Sequence, residues 1–188
     1  MDYILCVGDS LTYGARDEFH RSYPAELSRL YWENEGRPVF CVNYGVSGET
    51  SSQLLHRVYQ HCQSCPQAKL ALLLIGTNDT FVSQPLDIYE DNLRQIVQLL
   101  SASQRKVGIG LLPPLIGPGL LSYPEDGQEQ VEAFNKIIGS IAIKHDCFVA
   151  DFSGMDEHII DTAHFDHFGY SKMAKIWYAA IKEAGISL

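Results

Sequence analysis

The feature that most limits what this chain can fold into is the regular alternation of short apolar runs with longer amphipathic runs. The apolar runs are nearly continuous, as in strands covered on both faces: Tyr3–Val7, Val39–Val42, Leu70–Ile75, Val107–Leu112 and Cys147–Asp151. The amphipathic runs predict helices: Tyr23–Glu35, Thr50–Cys62, Asp87–Ser103, Gly127–Lys144 and Tyr170–Ala184. Strands that alternate with helices predict a parallel sheet with helices on both faces.

We therefore predict one α/β domain over residues 1–188, with three α/β/α layers around a five-stranded parallel sheet. Right-handed crossovers leave few strand orders, of which we favour the flavodoxin-like order. In such sheets ligands bind beyond the carboxyl ends of the strands, so the residues that follow each strand are the candidates for function. The long irregular stretch Pro113–Asp126 is expected to shape the substrate preference.

Charge and composition argue against some classes of binding partner. The chain has 14 Lys and Arg against 23 Asp and Glu, a formal net charge of −9. Such a surface repels nucleic acid and anionic membranes. The sequence has no apolar stretch of membrane-spanning length, and its N-terminus lacks the pattern of a signal peptide. We expect a cytoplasmic protein without stable membrane insertion; its oligomeric state is left open.

Three of the strands run into turns that could carry chemistry. The first leads into Gly8-Asp9-Ser10, the second into a turn with Gly48, and the third into Gly76-Thr77-Asn78-Asp79. A serine at such a position could act as a nucleophile, and the Asn78 side chain could donate an N–H to an oxyanion. Taken singly, each turn can also be explained as a helix cap or a glycine-rich turn, and for the Gly48 turn alone we favour that explanation.

A fourth segment near the C-terminus adds an acid and a base. Asp161 precedes His164 by three residues, so a tight turn could bring its carboxylate to Nδ1 and leave Nε2 free to take a serine proton. His167 is a rival base, with Asp166 beside it. We favour His164 and expect His167 to cap the helix, support the turn or line the rim.

Together these four segments resemble, in order, the conserved blocks of the SGNH hydrolases, also called GDSL esterases and lipases. The resemblance implies Ser10 as nucleophile, His164 as base and Asp161 as the partner that orients it. It also implies an oxyanion hole formed by the Ser10 N–H with Gly48 and Asn78. Two positions depart from the family pattern. Glu49 stands where Asp is frequent, and Phe165 follows the histidine where Pro is common, which leaves that turn less fixed.

The expected function is that of a serine esterase that acts on small-molecule esters through an acyl-enzyme, without cofactor or metal. The chain has little room for a lid, so short acyl groups are expected, such as acetyl esters of sugars, aryl alcohols or small lipids. Thioesters and lysophospholipids remain alternatives, as does a non-catalytic flavodoxin-like binding module. The Cys62 and Cys65 pair lacks a second pair of zinc ligands, and we expect these cysteines to be reduced.

Overall fold

The computed structural model describes residues 1–102, 104–116 and 124–188. Its sheet is entirely parallel and has the order β2-β1-β3-β4-β5, which confirms the predicted flavodoxin-like arrangement. The five strands are β1 (Asp2–Gly8), β2 (Val39–Gly45), β3 (Leu70–Leu74), β4 (Lys106–Leu111) and β5 (Phe148–Asp151). The ends of each strand lie within three residues of the ends of the predicted apolar run. The prediction works because burial on both faces makes such runs continuous.

Helices cover both faces of the sheet. They are α1 (Ser10–Tyr13), α2 (Tyr23–Glu35), α3 (Ser51–Ser64), α4 (Thr77–Phe81), α5 (Leu86–Ser101), α6 (Gly127–Lys144) and α7 (His167–Glu183). The sequence predicts α2, α3, α5, α6 and α7. It misses α1 and α4, since helices of four and five residues are too short to show an apolar repeat. Residue 103, and residues 117–123 of the long irregular stretch, lie outside the described part of the chain.

The core lies between two helical layers. Every residue of the central strand β3 is buried, and β1 is buried from Ile4 onward. Helix α2 packs against α7 in one layer, while α5 packs against α3 and α6 in the other. Trp177 of α7 is fully buried and contacts the rings of Tyr23, Phe148 and Phe152. This packing holds the carboxyl ends of β1, β2 and β3 side by side.

Gly8 allows β1 to end tightly against β3. Its φ is +158°, and a Cβ at this position would lie 2.0 Å from the Leu74 carbonyl oxygen and 2.5 Å from the Thr12 hydroxyl. No side chain can be accommodated at those distances. Because the backbones approach so closely, α1 begins only two residues after Gly8, at the carboxyl edge of the sheet.

The cysteines form neither disulfides nor a metal site within the described residues. All five cysteines are free, and Cys62 and Cys65 are buried at the end of α3, where the Arg105 guanidinium donates to their carbonyl oxygens at 2.9 and 3.0 Å. Within the described residues, no group of three His, Cys, Asp or Glu side chains is arranged to hold a metal ion. None of the described helices is both long and apolar enough to cross a bilayer.

Candidate active site

Ser10 is placed by the cap of α1. The Asp9 side chain accepts a hydrogen bond from the Leu11 N–H at 2.9 Å, and the helix ends at Gly14 in the left-handed conformation. Ser10 is the first residue of this short helix and is 3% exposed, at the carboxyl end of β1. The first turn is therefore both a helix cap and a candidate catalytic site. Asp9 forms the cap, and the Ser10 hydroxyl is directed at the edge of the sheet.

Asp161 and His164 lie on a tight hairpin between β5 and α7. Ile159 pairs with Phe165 in an antiparallel bridge, and the Ile160 N–H donates to the His164 carbonyl at 2.9 Å. Inside the turn, one oxygen of Asp161 accepts three successive backbone N–H groups, at distances of 2.6, 3.0 and 2.9 Å. Phe165 is fully buried. Hydrogen bonds and burial thus fix this turn in the absence of a proline.

The hydroxyl, the imidazole and the carboxylate form one hydrogen-bonded chain. His164 Nε2 lies 2.9 Å from Ser10 Oγ, and His164 Nδ1 lies 2.8 Å from Asp161 Oδ2. Burial opposes ionisation of Asp161, but the N–H groups of Ala163 and His164 and the His164 ring outweigh it and hold its pKa well below the ordinary value. An ionised Asp161 can only accept, so Nδ1 donates to it and Nε2 can accept the serine proton.

Donors face the other side of the serine. Ser10, Gly48 and Asn78 line the same pocket. Within the described part of the chain, the backbone N–H groups of Ser10 and Gly48 have no hydrogen-bond partner. Asn78 Nδ2 donates one hydrogen to the Glu49 carbonyl at 3.0 Å, which leaves its second hydrogen for the pocket. Gly48 has a φ of +83°, a conformation that favours glycine.

Polar contacts hold the Gly48 turn in place. Asp79 accepts from the Ser51 N–H at 2.9 Å and from the Ser51 hydroxyl at 2.5 Å, which ties α4 to the start of α3. The Glu49 carboxylate is 5% exposed and pairs with Arg57, whose guanidinium also donates to the Tyr44 carbonyl at 2.9 Å. The glutamate that departs from the family pattern is therefore paired with a neighbouring arginine.

Two buried carboxyl groups lie beneath this pocket. Burial raises the pKa of Asp9 to about 7; the Leu11 N–H opposes this shift, and the charge of Asp79 adds to it. Burial likewise raises the pKa of Asp79 to about 6, against the two hydrogen bonds from Ser51. Within residues 1–102, 104–116 and 124–188, Asp9 Oδ2 is buried without a hydrogen-bond partner. Sequence patterns did not identify these two acids as buried, since neither Gly8-Asp9-Ser10 nor Gly76-Thr77-Asn78-Asp79 shows which of its side chains are covered.

The pocket itself is small and open, with a volume of about 270 Å³. Phe81 and Ala163 supply apolar surface, and Ser47 and Thr77 complete the lining between the donors and the imidazole. Such a volume is just below the usual range for small-molecule sites, which begins at about 300 Å³.

His167 lies away from the hydrogen-bonded chain. It is the first residue of α7, its Nδ1 is 2.5 Å from Glu18 Oε1, and its ring packs edge-on against Phe19 at 4.8 Å. The cap of α7 is Asp166, which accepts from the Gly169 N–H at 3.0 Å. The structure thus brings Ser10, Asp161 and His164 together and leaves His167 beside them.

Comparison with known proteins places this architecture in a family. The sequence model of the GDSL-like lipase/acylhydrolase family matches residues 6–174. A search of curated protein sequences finds no match.

Solved structures share the fold at low sequence identity. A lipase/acylhydrolase from Enterococcus faecalis is 20% identical, with a TM-score of 0.81 over 97% of this chain and 96% of its own. The psychrotrophic esterase EstA from Pseudoalteromonas sp. is 20% identical, with a TM-score of 0.80 over 97% and 98%. An acetylxylan esterase from Geobacillus stearothermophilus is 18% identical, with a TM-score of 0.79 over 99% and 95%.

Proposed function

The chain belongs to the GDSL-like lipase/acylhydrolase family and is a carboxylic ester hydrolase, and we propose that it cleaves small esters through an acyl-enzyme on Ser10. The observation that carries this proposal is the continuous chain from Ser10 Oγ through His164 to Asp161, with distances of 2.9 and 2.8 Å. These distances suit proton transfer from the hydroxyl to the imidazole without prior rearrangement.

In the proposed first step, His164 Nε2 takes the proton of Ser10 while Oγ attacks the ester carbonyl. The new C–O bond turns the carbonyl oxygen into an oxyanion, and Asp161 stabilises the imidazolium that forms. The free N–H groups of Ser10 and Gly48, with the second amide hydrogen of Asn78, are the donors proposed to hold the oxyanion. Donors that are already oriented stabilise this charge without reorganisation.

The second half of the reaction reverses the proton transfer. His164 gives its proton to the leaving alkoxide as the C–O bond of the ester breaks, and the alcohol departs. A water then attacks the acyl carbon while His164 again takes a proton, and Ser10 recovers its own proton as the acid leaves. Each step uses the side chains and backbone named above together with water.

We further propose that the preferred acyl groups are short. A pocket of about 270 Å³, bounded by Phe81 and Ala163, accommodates an acetyl or similarly small group and has little room for a fatty acyl chain. The likeness in fold to an acetylxylan esterase is in keeping with this size class. Acetyl esters of sugars, aryl alcohols or small lipids fit the description.

Residues 1–188 are proposed to act as one catalytic domain. The candidate groups come from both ends of the chain, since Ser10 and His164 are 154 residues apart in sequence yet share a hydrogen bond. They meet only because β1, β3 and the β5–α7 hairpin belong to one folded unit. Separate halves of the chain would not carry the site.

A series of p-nitrophenyl esters from acetate to dodecanoate tests the proposal. We expect kcat/KM to be highest for the shortest acyl groups. Ser10→Ala should lower kcat by roughly 10⁴–10⁶-fold, the effect of removing a serine nucleophile. Ser64→Ala, which changes an exposed serine on α3, is the matched control. An optimum at long chains would contradict the size class, and activity retained in Ser10→Ala would contradict the mechanism. Absence of turnover with every ester would favour a binding module.

A further inference from the structure

Asp161 has a second cationic neighbour that the sequence did not reveal. Arg16 Nε lies 3.4 Å from Asp161 Oδ2, the same oxygen that meets the His164 ring. Among the described residues, Arg16 and His164 are the two basic side chains within 4 Å of this carboxylate. The Arg16 side chain is 60% exposed, so packing does not explain why it lies there.

The backbone that presents Arg16 is strained. Arg16, His20 and Ser22 all have positive φ, at 68°, 53° and 33°, where side chains other than glycine are disfavoured. The loop that contains them, residues 15–22, is held by the buried carboxylate of Asp17. That carboxylate accepts three backbone N–H groups at 2.9, 2.6 and 3.0 Å. Strained non-glycine residues persist only where the surroundings enforce them, and they are concentrated at functional sites.

This loop docks directly behind the hairpin that carries His164. The Tyr170 hydroxyl of α7 donates to the Ala15 carbonyl at 2.7 Å, and Glu18 accepts from His167 at 2.5 Å. Phe19 packs on the His167 ring. The loop is thus fixed to the start of α7 at three points, and Arg16 projects from it to Asp161.

We propose that Arg16 is a positioning residue for the proposed triad, and that the loop of residues 15–22 serves to hold its guanidinium against Asp161. The inference rests on the proposed function, because it assigns Arg16 a role through Asp161 and His164. The guanidinium limits rotation of the carboxylate, which in turn keeps Nδ1 of the imidazole in register with it.

The other charged groups around the hairpin are engaged elsewhere. His167 pairs with Glu18 and His158 pairs with Asp166, both on the α7 side. Asp17 is bound by backbone N–H groups of its own loop, and on the α1 side Asp9 is buried beneath Ser10. Substitution of Arg16 removes none of these contacts directly, so a change in kcat on substitution reports the guanidinium itself.

Arg16→Gln is the first test, and it removes the charge while keeping a similar length. We expect kcat to fall about tenfold with KM little changed, because the alignment of the base is affected and not the pocket. Arg16→Lys should recover part of the lost kcat.

Arg16→Gly separates this role from a structural one. Glycine adopts φ near +68° freely, so the variant should melt at the same temperature as the wild type or higher. Its kcat should nevertheless fall as in Arg16→Gln. Arg21→Gln is the matched control, because Arg21 belongs to the same loop, is 59% exposed and lies near Glu26, away from the triad. It should retain the kcat and KM of the wild type.

Three outcomes test the proposed role of Arg16. Wild-type kcat in both Arg16→Gln and Arg16→Gly would overturn the proposal. A loss of activity in Arg16→Gly that follows a lower melting temperature would also overturn it, since that pattern marks a purely structural residue. Ser10→Ala assayed in parallel keeps the two proposals apart: if it is active, the triad itself is wrong, whereas an inactive Ser10→Ala beside a fully active Arg16→Gln refutes the role of Arg16 alone.

Discussion

Replacing Asp9 by Asn should change how the stability of the protein depends on pH. Asp9 is fully buried, and one of its oxygens caps α1 through the Leu11 N–H. The other oxygen has no hydrogen-bond partner among the residues that the structure describes. Burial raises its pKa from 3.8 to about 7. An asparagine keeps the capping oxygen and carries no charge at any pH. The substitution therefore removes the titration of Asp9 and leaves the cap in place.

The direction in which the free energy of unfolding changes with pH follows from proton binding. Between about pH 4 and pH 7, folded Asp9 keeps a proton that the unfolded chain has released, so the free energy of unfolding falls as the pH rises through this window. A gap of about three pH units corresponds to a loss of about 4 kcal/mol across the window. About a third of that loss is complete at pH 5. The stability of Asp9→Asn relative to the wild type should thus be about 3 kcal/mol greater at pH 8 than at pH 5.

Urea unfolding at pH 5 and pH 8, followed by the fluorescence of the buried Trp177, measures this difference. The asparagine amide can add a constant offset in either direction, so only the change between the two pH values is diagnostic. Asp156→Asn, which alters an exposed aspartate, should show the same difference at both. If Asp9→Asn differs from the wild type equally at pH 5 and pH 8, Asp9 does not hold a proton in the folded protein and the reasoning fails.

Two further predictions concern the base and the oxyanion donors. His164→Ala should lower kcat/KM on an activated ester by roughly 10³-fold or more, and His167→Ala by about tenfold, because His167 contacts Glu18 and not Ser10. The reverse order, in variants with normal melting temperatures, would move the role of base to His167. Asn78→Ala should reduce kcat by about 10²–10³-fold with little change in KM, as expected for a donor to the transition state. An effect confined to KM would remove Asn78 from the oxyanion hole.

Much of the fold follows from local patterns in the chain. A run such as Leu70–Leu74 is apolar at every position because β3 is covered on both faces, and that continuity makes it recognisable. The chemistry-bearing turns were recognisable because parallel strands present their carboxyl ends at one edge of the sheet. The sequence therefore predicted that Ser10, Asn78 and His164 would lie close together, and the structure places all three around one pocket.

Other features depend on contacts that leave no periodic signal. The short helices α1 and α4 span too few residues to show a repeat. The approach of Arg16 to Asp161 joins the two ends of the chain through a loop whose positive φ values fall on Arg, His and Ser instead of glycine. The burial of Asp9 likewise arises from the packing of β1 against β3. Such features require the assembled tertiary structure.

Covalent labelling by a fluorophosphonate is the most direct test of the central claim, which is that Ser10 is the nucleophile. A fluorophosphonate ester should add one phosphonyl group per chain, detectable as a single increment in intact mass, and peptide mapping should place it on Ser10. The Ser10→Ala variant, folded as judged by its melting temperature, should not be labelled, while Ser64→Ala should label as the wild type does. An adduct on another serine, or a wild-type protein that hydrolyses esters without being labelled, would contradict the account.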